Sequence, residues 1–178
     1  MNSSRTYEKV VKVSSTGKRL ALKVSVILAY IAFAAVWAVV ALNNLDILVV
    51  AAVAGALLTF GIIKLTWKYL QLEYEYSFSY GELGVAKIYG KRKRKQIVSA
   101  DIKSLTMIAP ATQENIAKAE HFEPDARVYA ISSEAAENIW LALTGDKDED
   151  RVLIFFESDE RSLDLLKSVN PYAFSKKI

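Results

Sequence analysis

Two long apolar runs near the start of the chain restrict its fold more than any other feature. Residues 24–42 carry no charged side chain over 19 positions, and residues 47–63 carry none over 17. As helices they would be about 28 Å and about 26 Å long, close to the roughly 30 Å hydrocarbon core of a bilayer. A polar break at residues 43–46 separates them. The pattern predicts a transmembrane α-hairpin over residues 24–67, with spans at 24–42 and 47–65.

Two other structures fit the same runs: a pair of helices buried in a soluble bundle, and a cleaved signal peptide ending near residues 32–34. Soluble helices rarely lack a polar stripe over 19 residues. The basic segment before the first run is long for a signal peptide, and a second apolar run follows almost at once. A hairpin anchor is therefore the favoured interpretation.

Basic residues flank the runs on one side only. Six Lys or Arg residues precede the first run, Lys64 and Lys68 follow the second, and the connecting turn has none. The positive-inside rule then predicts that both termini lie in the cytoplasm and that only residues 43–46 are exposed outside. Residues 1–23 read as a basic cytoplasmic tail along the anionic leaflet. Trp67 and Tyr69 suit an interfacial aromatic belt.

Small side chains recur at four-residue spacing inside the two runs, an arrangement that lets helix backbones approach closely. Packing of the two helices on each other is the favoured explanation, and self-association or docking on a partner is the alternative. The spans contain no Asp, Glu, Arg or His, which argues against a self-sufficient transporter. The candidate packing residues are Ala34, Ala38, Ala51, Gly55 and Thr59.

Residues 68–178 carry 16 basic and 18 acidic residues and read as one cytoplasmic domain. Aromatic residues alternate with polar ones from Leu72 to Tyr80, which is typical of a half-buried strand. An amphipathic helix is expected at residues 159–167, capped by Ser158. Seven antiparallel strands are expected before it, at 72–80, 83–89, 93–99, 101–108, 127–132, 138–144 and 151–156.

The order of apolar hairpin, seven strands and C-terminal helix resembles bacterial membrane-anchored pleckstrin-homology-like (PH-like) proteins of the two-span type. Residues 74–105 resemble their opening pattern of aromatic strand, turn, strand, basic turn, strand and Asp-Ile. The resemblance implies a bent barrel of about seven antiparallel strands capped by a C-terminal helix. It also implies a binding or scaffolding role beside the membrane, without a fixed ligand.

A run of five consecutive cations stands out in this domain. Tethered beside a bilayer, it is a candidate contact for anionic lipid headgroups. The alternative is a solvated hairpin edge whose lysines prevent edge-to-edge pairing. No aromatic residues interleave the run to stack bases, so no nucleic-acid partner is expected. The candidate lipid contacts are Lys87, Lys91, Arg92, Lys93, Arg94 and Lys95.

No catalytic, cofactor or metal site is expected. The chain has no cysteine and one histidine, His121, which reads as an exposed loop residue. The acidic stretch 146–150 followed by Glu157 matches part of a calcium loop, but Arg151 stands where that loop needs glycine. It reads instead as an acidic turn.

These observations favour a bacterial membrane protein, not an enzyme, that presents a PH-like domain as a membrane-tethered binding or scaffolding module. Its expected partners are the lipid bilayer, anionic headgroups and a protein not identified by the sequence. The alternative is an accessory subunit of a membrane transporter or envelope enzyme complex that acts through its transmembrane hairpin.

Overall fold

The computed structural model describes residues 6–15, 17–43, 46, 48–79, 81–145 and 150–175. The chain forms two compact units. A helical unit comprises residues 14–72 and 89–91, and a sheet unit comprises residues 1–13, 73–88 and 92–178. Parts of several expectations lie outside the described residues: positions 1–5 and 16 of the expected tail, the polar break at 44–45, the first position of the second span at 47, the strand end at Tyr80 and the acidic turn at 146–149.

The helical unit consists of two helices, α1 (Gly17–Asn43) and α2 (Leu48–Leu70). Both are long and apolar enough to cross a membrane by length and composition. Only 6% of the apolar window of α1 and 11% of that of α2 is buried, whereas the core helix of a soluble domain would be mostly buried. Most apolar side chains of this unit are therefore exposed.

The first sheet has the strand order β1-β2-β3-β4, where β1 is Tyr7–Lys12, β2 Leu72–Ser79, β3 Glu82–Tyr89 and β4 Lys93–Asp101. β1 pairs with β2 in antiparallel register, from Tyr7 opposite Phe78 to Lys12 opposite Glu73. β1 precedes the two helices in the chain and β2 follows them, yet the two strands are neighbours in the sheet. The expected tail over residues 1–23 is wrong for residues 7–12, which form an edge strand.

The second sheet has the order β5-β7-β8-β6, where β5 is Met107–Pro110, β6 Ala126–Ala130, β7 Ile139–Leu143 and β8 Val152–Glu157. β7 is antiparallel to both β5 and β8, but β6 runs parallel to β8. The connection from β6 to β7 is long enough for β7 to pair with β5 and β8 instead of with β6. The expectation of antiparallel strands throughout is wrong at β6.

Three shorter helices complete the sheet unit: α3 (Gln113–Glu120), α4 (Glu160–Val169) and α5 (Tyr172–Ser175). Asp159 caps α4 in a capping box with Ser162, so the expected cap Ser158 is off by one residue. At the other end of α4, the Asn170 side-chain amide donates hydrogen bonds to the carbonyls of Ile102 (2.8 Å) and Leu105 (2.9 Å). These bonds hold the end of α4 to a 3₁₀ turn at Ile102–Ser104.

Buried side chains of the first and second sheets meet each other. The rings of Tyr76 on β2 and Phe156 on β8 meet edge to face at 6.2 Å. The fully buried Tyr76 hydroxyl donates a hydrogen bond to the Ala130 carbonyl and accepts one from the Glu157 N–H at 3.3 Å. Burial of this phenol raises its pKa above the ordinary value. A second apolar cluster, between the other face of the second sheet and α3, contains Met107, Ala119, Leu141, Leu143, Leu153 and Phe155.

The described residues thus form eight strands in two four-stranded sheets, instead of one barrel of seven strands. β1 adds one strand, and the single strand expected at 101–108 is interrupted by the 3₁₀ turn. The Asp101 side chain accepts the Lys103 N–H at 2.9 Å and caps that turn. An Asp side chain competes in this way with the strand ladder for local backbone groups.

Candidate functional site

The basic run begins in the turn between β3 and β4. Gly90 has φ +57° and Lys91 φ +60°, so two consecutive residues adopt the left-handed conformation. Positive φ at both central positions is typical of a type I′ hairpin turn. For most residues the left-handed conformation costs roughly 1–2 kcal/mol, whereas Gly and, to a lesser extent, Asn adopt it readily. Lys91 is therefore held in a conformation that its own side chain disfavours.

The same turn contacts the end of α2 within the helical unit. The Gly90 N–H donates a hydrogen bond to the Gln71 carbonyl at 2.9 Å, and the rings of Tyr69 and Tyr89 meet edge to face at 6.2 Å. A Cβ at Gly90 would lie 2.7 Å from the Lys68 Cβ, so only glycine fits there. We call Lys68, Tyr69, Tyr89, Gly90 and Lys91 the juxtahelical turn.

Arg94 differs from the rest of the run because it pairs with a buried carboxylate. Its Nη2 lies 2.6 Å from Oε2 of Glu75, whose side chain is only 4% exposed. That oxygen accepts no aligned hydrogen bond in the described part of the chain, so the attraction is that of an ion pair. The structure brings Arg94 to Glu75 as a charge partner, although the Arg94 side chain is 61% exposed.

The other candidate lipid contacts have different environments. Lys87 is half-buried on β3, with its Nζ 5.8 Å from the centre of the Tyr74 ring. Arg92, Lys93 and Lys95 follow Lys91 in the chain and are exposed. The sequence thus identifies the charges of the run. The Gly-Lys pair also indicates a turn, and the aromatic residues at the end of the second apolar run indicate a helix end. No sequence signal indicates that Gly90 contacts Lys68.

The candidate helix-packing residues divide into two groups. Ala51 and Gly55 are buried, and a Cβ at Gly55 would lie 3.0 Å from the Trp37 side chain. The Thr59 hydroxyl donates to the Gly55 carbonyl at 2.8 Å. Gly55 therefore belongs to the contact between α1 and α2, whereas Ala34 and Ala38 are exposed.

Within the sheet unit, a cluster of polar side chains connects β1 to the start of α4. The sequence did not indicate this cluster. The Tyr7 hydroxyl donates to the Asp159 carboxylate at 2.5 Å, Lys9 Nζ lies 3.7 Å from it, and the Arg161 guanidinium lies 4.8 Å from the Tyr7 ring centre. Partial burial acts to raise the pKa of Asp159. The hydrogen bonds from Tyr7 and Ser162, together with the charge of Lys9, outweigh it and lower that pKa to about 2. The hydrogen bond to Asp159, together with burial, raises the pKa of Tyr7.

Within the part of the chain that the structure describes, no group of three or more His, Asp or Glu side chains is placed to hold a metal ion. His121 is exposed at the C-terminal cap of α3. The Glu157 carboxylate accepts the Ser132 N–H at 2.5 Å, so it already has a partner in the sheet unit.

Two four-stranded sheets followed by a C-terminal helix, with two apolar helices, define a PH-like domain of the two-span type. The chain belongs to the family described as Bacterial PH-like domain (DUF6106), whose model matches residues 6–176. The matched range includes β1 and both apolar helices. No curated protein and no solved structure gave a significant match.

Proposed function

We propose that this chain is a bacterial inner-membrane protein whose helical pair crosses the bilayer and whose PH-like domain serves as a binding or scaffolding module on the cytoplasmic face. The observation that carries the proposal is the pairing of β1 with β2 on either side of the helical pair. The proposed role is non-enzymatic and stays a prediction.

Contacts within the helical unit support this topology. Trp37 of α1 lies against Gly55 of α2, and the hydroxyl groups of Tyr30 and Thr66 share a hydrogen bond. The two helices therefore run antiparallel, so the start of α1 lies beside the end of α2. This arrangement supports placing those two ends on the same side of a bilayer, which is the topology of a two-span hairpin.

Charge supports the choice of side. Arg19 and Lys23 lie in the first turns of α1, Lys64 and Lys68 lie near the end of α2, and the described turn residue Asp46 is acidic. By the positive-inside rule the ends carrying lysine and arginine stay in the cytoplasm. The short turn between the helices is then the part exposed outside.

The apolar surface of the helices supports insertion in lipid. Leu57, Phe60 and Leu65 on α2 are each more than 60% exposed. Soluble monomers rarely expose contiguous apolar patches of more than a few hundred Å². Acyl chains would cover this surface without any partner protein.

Cysteine labelling tests the topology sharply, because the natural chain contains no cysteine and gives no background. Asp46→Cys and Glu134→Cys place single thiols at exposed positions. In intact spheroplasts, a membrane-impermeant maleimide is expected to label Asp46→Cys at once and Glu134→Cys only after permeabilisation. Equal labelling of both, or the reverse order, would refute the proposed orientation.

A second candidate function, an accessory subunit acting through the helical pair, is favoured by one observation. Ala34 and Ala38 are exposed and lie outside the buried contact made by Gly55. Ala38→Leu is then expected to abolish specific membrane crosslinks to a partner subunit, whereas Ala56→Leu, at an exposed position of α2, is not. Gly55→Leu is unsuitable for this test because it would strike Trp37.

A further inference from the structure

We propose that the juxtahelical turn is a binding site for the phosphate headgroups of anionic phospholipids in the leaflet next to the domain. The proposal rests on the proposed membrane insertion and names the chemistry of one partner. It makes the PH-like domain a module whose β3–β4 turn is held against the membrane surface.

The first step is position. Tyr69 and Lys68 lie in the last turn of α2, directly after Trp67, and aromatic and basic residues of this kind mark the bilayer interface. The hydrogen bond from Gly90 to Gln71 and the contact between Tyr69 and Tyr89 fix the turn to that end of the helix. A helix that spans the bilayer thus carries the turn to headgroup depth.

The second step is charge. Lys68 and Lys91 both belong to this turn, and Lys91 is exposed. Among the described residues, no Asp or Glu forms an ion pair with Lys68 or Lys91, in contrast to the pairing of Arg94 with Glu75. The Lys68 Nζ lies 5.0 Å from the centre of the Tyr69 ring. This ring contact uses none of its N–H groups as a hydrogen bond to an oxygen, so both ammonium groups can donate to a phosphate.

The third step is the backbone of Lys91. It has φ +60°, where Gly or Asn would be more favourable, and such strained backbone positions cluster at ligand-binding and active sites. The conformation therefore marks Lys91 as a candidate binding residue. The same geometry supplies a good test variant, because Lys91→Asn removes the charge and suits the backbone.

A control lysine in the sheet unit separates this site from the general basic character of the domain. Lys103 is an exposed lysine of the 3₁₀ turn in the sheet unit and belongs to no part of the juxtahelical turn. Lys103→Asn removes the same charge and is the matched control. Each lysine at an anionic surface contributes about 1 kcal/mol, which corresponds to about a fivefold change in binding.

The experiment uses the full chain in a neutral detergent, with an equimolar mixture of phosphatidylglycerol and phosphatidylcholine. Native mass spectrometry measures the ratio of the two lipids retained on the protein. The natural chain is expected to prefer phosphatidylglycerol, and Lys91→Asn is expected to lower that preference about fivefold. The double variant with Lys91→Asn and Lys68→Gln is expected to lower it further. Lys103→Asn is expected to leave the preference unchanged.

Three results would overturn the proposal: no preference for phosphatidylglycerol, an equal loss in Lys91→Asn and Lys103→Asn, or displacement of the lipid by millimolar inorganic phosphate, which would indicate a soluble ligand. Lys91→Gly serves as a second variant, since glycine also suits the backbone. The labelling of Asp46→Cys is measured on the same variants. Normal labelling with no lipid preference refutes the headgroup site alone, whereas failed labelling refutes membrane insertion as well.

Discussion

The helical unit and the sheet unit use the same apolar side chains in opposite environments. Leu57 on α2 is 66% exposed, whereas Leu141 on β7 is fully buried. The sheet unit buries its leucines against its own strands and helices, as a water-soluble domain does. The helical unit leaves them outside, so its stable form requires a different solvent or a covering partner. This contrast supports the proposal that the two units are built for two media, water and lipid.

The largest expected effect tests this contrast directly with a matched pair of substitutions. Leu141→Ala removes a fully buried side chain and is expected to lower the free energy of unfolding by about 2–5 kcal/mol. Leu57→Ala removes a side chain that makes few contacts within the chain and is expected to change it by less than about 0.5 kcal/mol. Urea unfolding of the full chain in lipid nanodiscs measures both. Equal effects would contradict the division into two media.

The next largest expected effects come from the tyrosine hydroxyl groups that form hydrogen bonds in the two units. Tyr76→Phe leaves the Glu157 N–H and the Ala130 carbonyl of the sheet unit without the phenol, at an expected cost of about 1–3 kcal/mol.

Tyr30→Phe removes the hydrogen bond between Tyr30 and Thr66 that links the two helices. Interhelical bonds of this kind in membranes average about 0.6 kcal/mol. The same unfolding assay is expected to rank the tyrosine variants in this order. A larger loss for Tyr30→Phe would show that the helical pair depends on its polar contact.

The sheet unit also contains a charge pair that the helices lack. Arg94→Gln leaves the buried Glu75 carboxylate uncompensated and is expected to cost about 1 kcal/mol, the low end for such groups because Arg94 itself is half-exposed. Lys95→Gln removes a neighbouring exposed charge and is expected to have no measurable effect on thermal unfolding. Equal unfolding temperatures for the two variants would show that the ion pair between Arg94 and Glu75 does not stabilise the fold.

Acidity is expected to have the smallest effect, and it acts on one unit only. Because the pKa of Asp159 is lowered from 3.8 to about 2, this carboxylate contributes fully to stability above about pH 3.8. The contribution is lost as the pH falls to about 2. Tyr7→Phe removes the phenol hydrogen bond and so raises the folded-state pKa of Asp159, and the acid-dependent loss of stability is expected to be smaller and to end at a higher pH. The raised pKa of Tyr7 adds stability that is lost above pH 10.

Circular dichroism across this range measures the change. α1 and α2 contain no Asp or Glu and are expected to keep their helicity throughout. An acid transition that is identical with and without Tyr7→Phe would show that the hydrogen bond to Asp159 is unimportant.

The sequence predicts elements whose signal is local and fails where pairing is distant. β2 and β3 follow from the alternation of aromatic and polar residues, and the two helices follow from their uncharged runs. β1 was missed because its partner β2 lies on the far side of the helical pair, with Tyr7 opposite Phe78. No local pattern encodes such a pairing.

The candidate site shows the same limit. Charge alone identifies the basic run, and Gly90-Lys91 is a recognisable turn. The contact of that turn with Lys68 and Gln71 joins residues about 20 positions apart in the chain, so no local pattern indicates it. The pairing of Arg94 with Glu75 is equally non-local, since Glu75 looks from sequence like any exposed strand position.

The most direct test of the two-media division is the solvent that surrounds α2. A nitroxide attached to Leu57→Cys, in the full chain reconstituted into liposomes, reports collisions with dissolved oxygen, which concentrates in lipid, and with a water-soluble nickel chelate. We expect frequent oxygen collisions and exclusion of the chelate at Leu57, with the opposite result for a nitroxide at Glu134→Cys. Equal access of the nickel chelate to both positions would contradict the assignment of α2 to the bilayer.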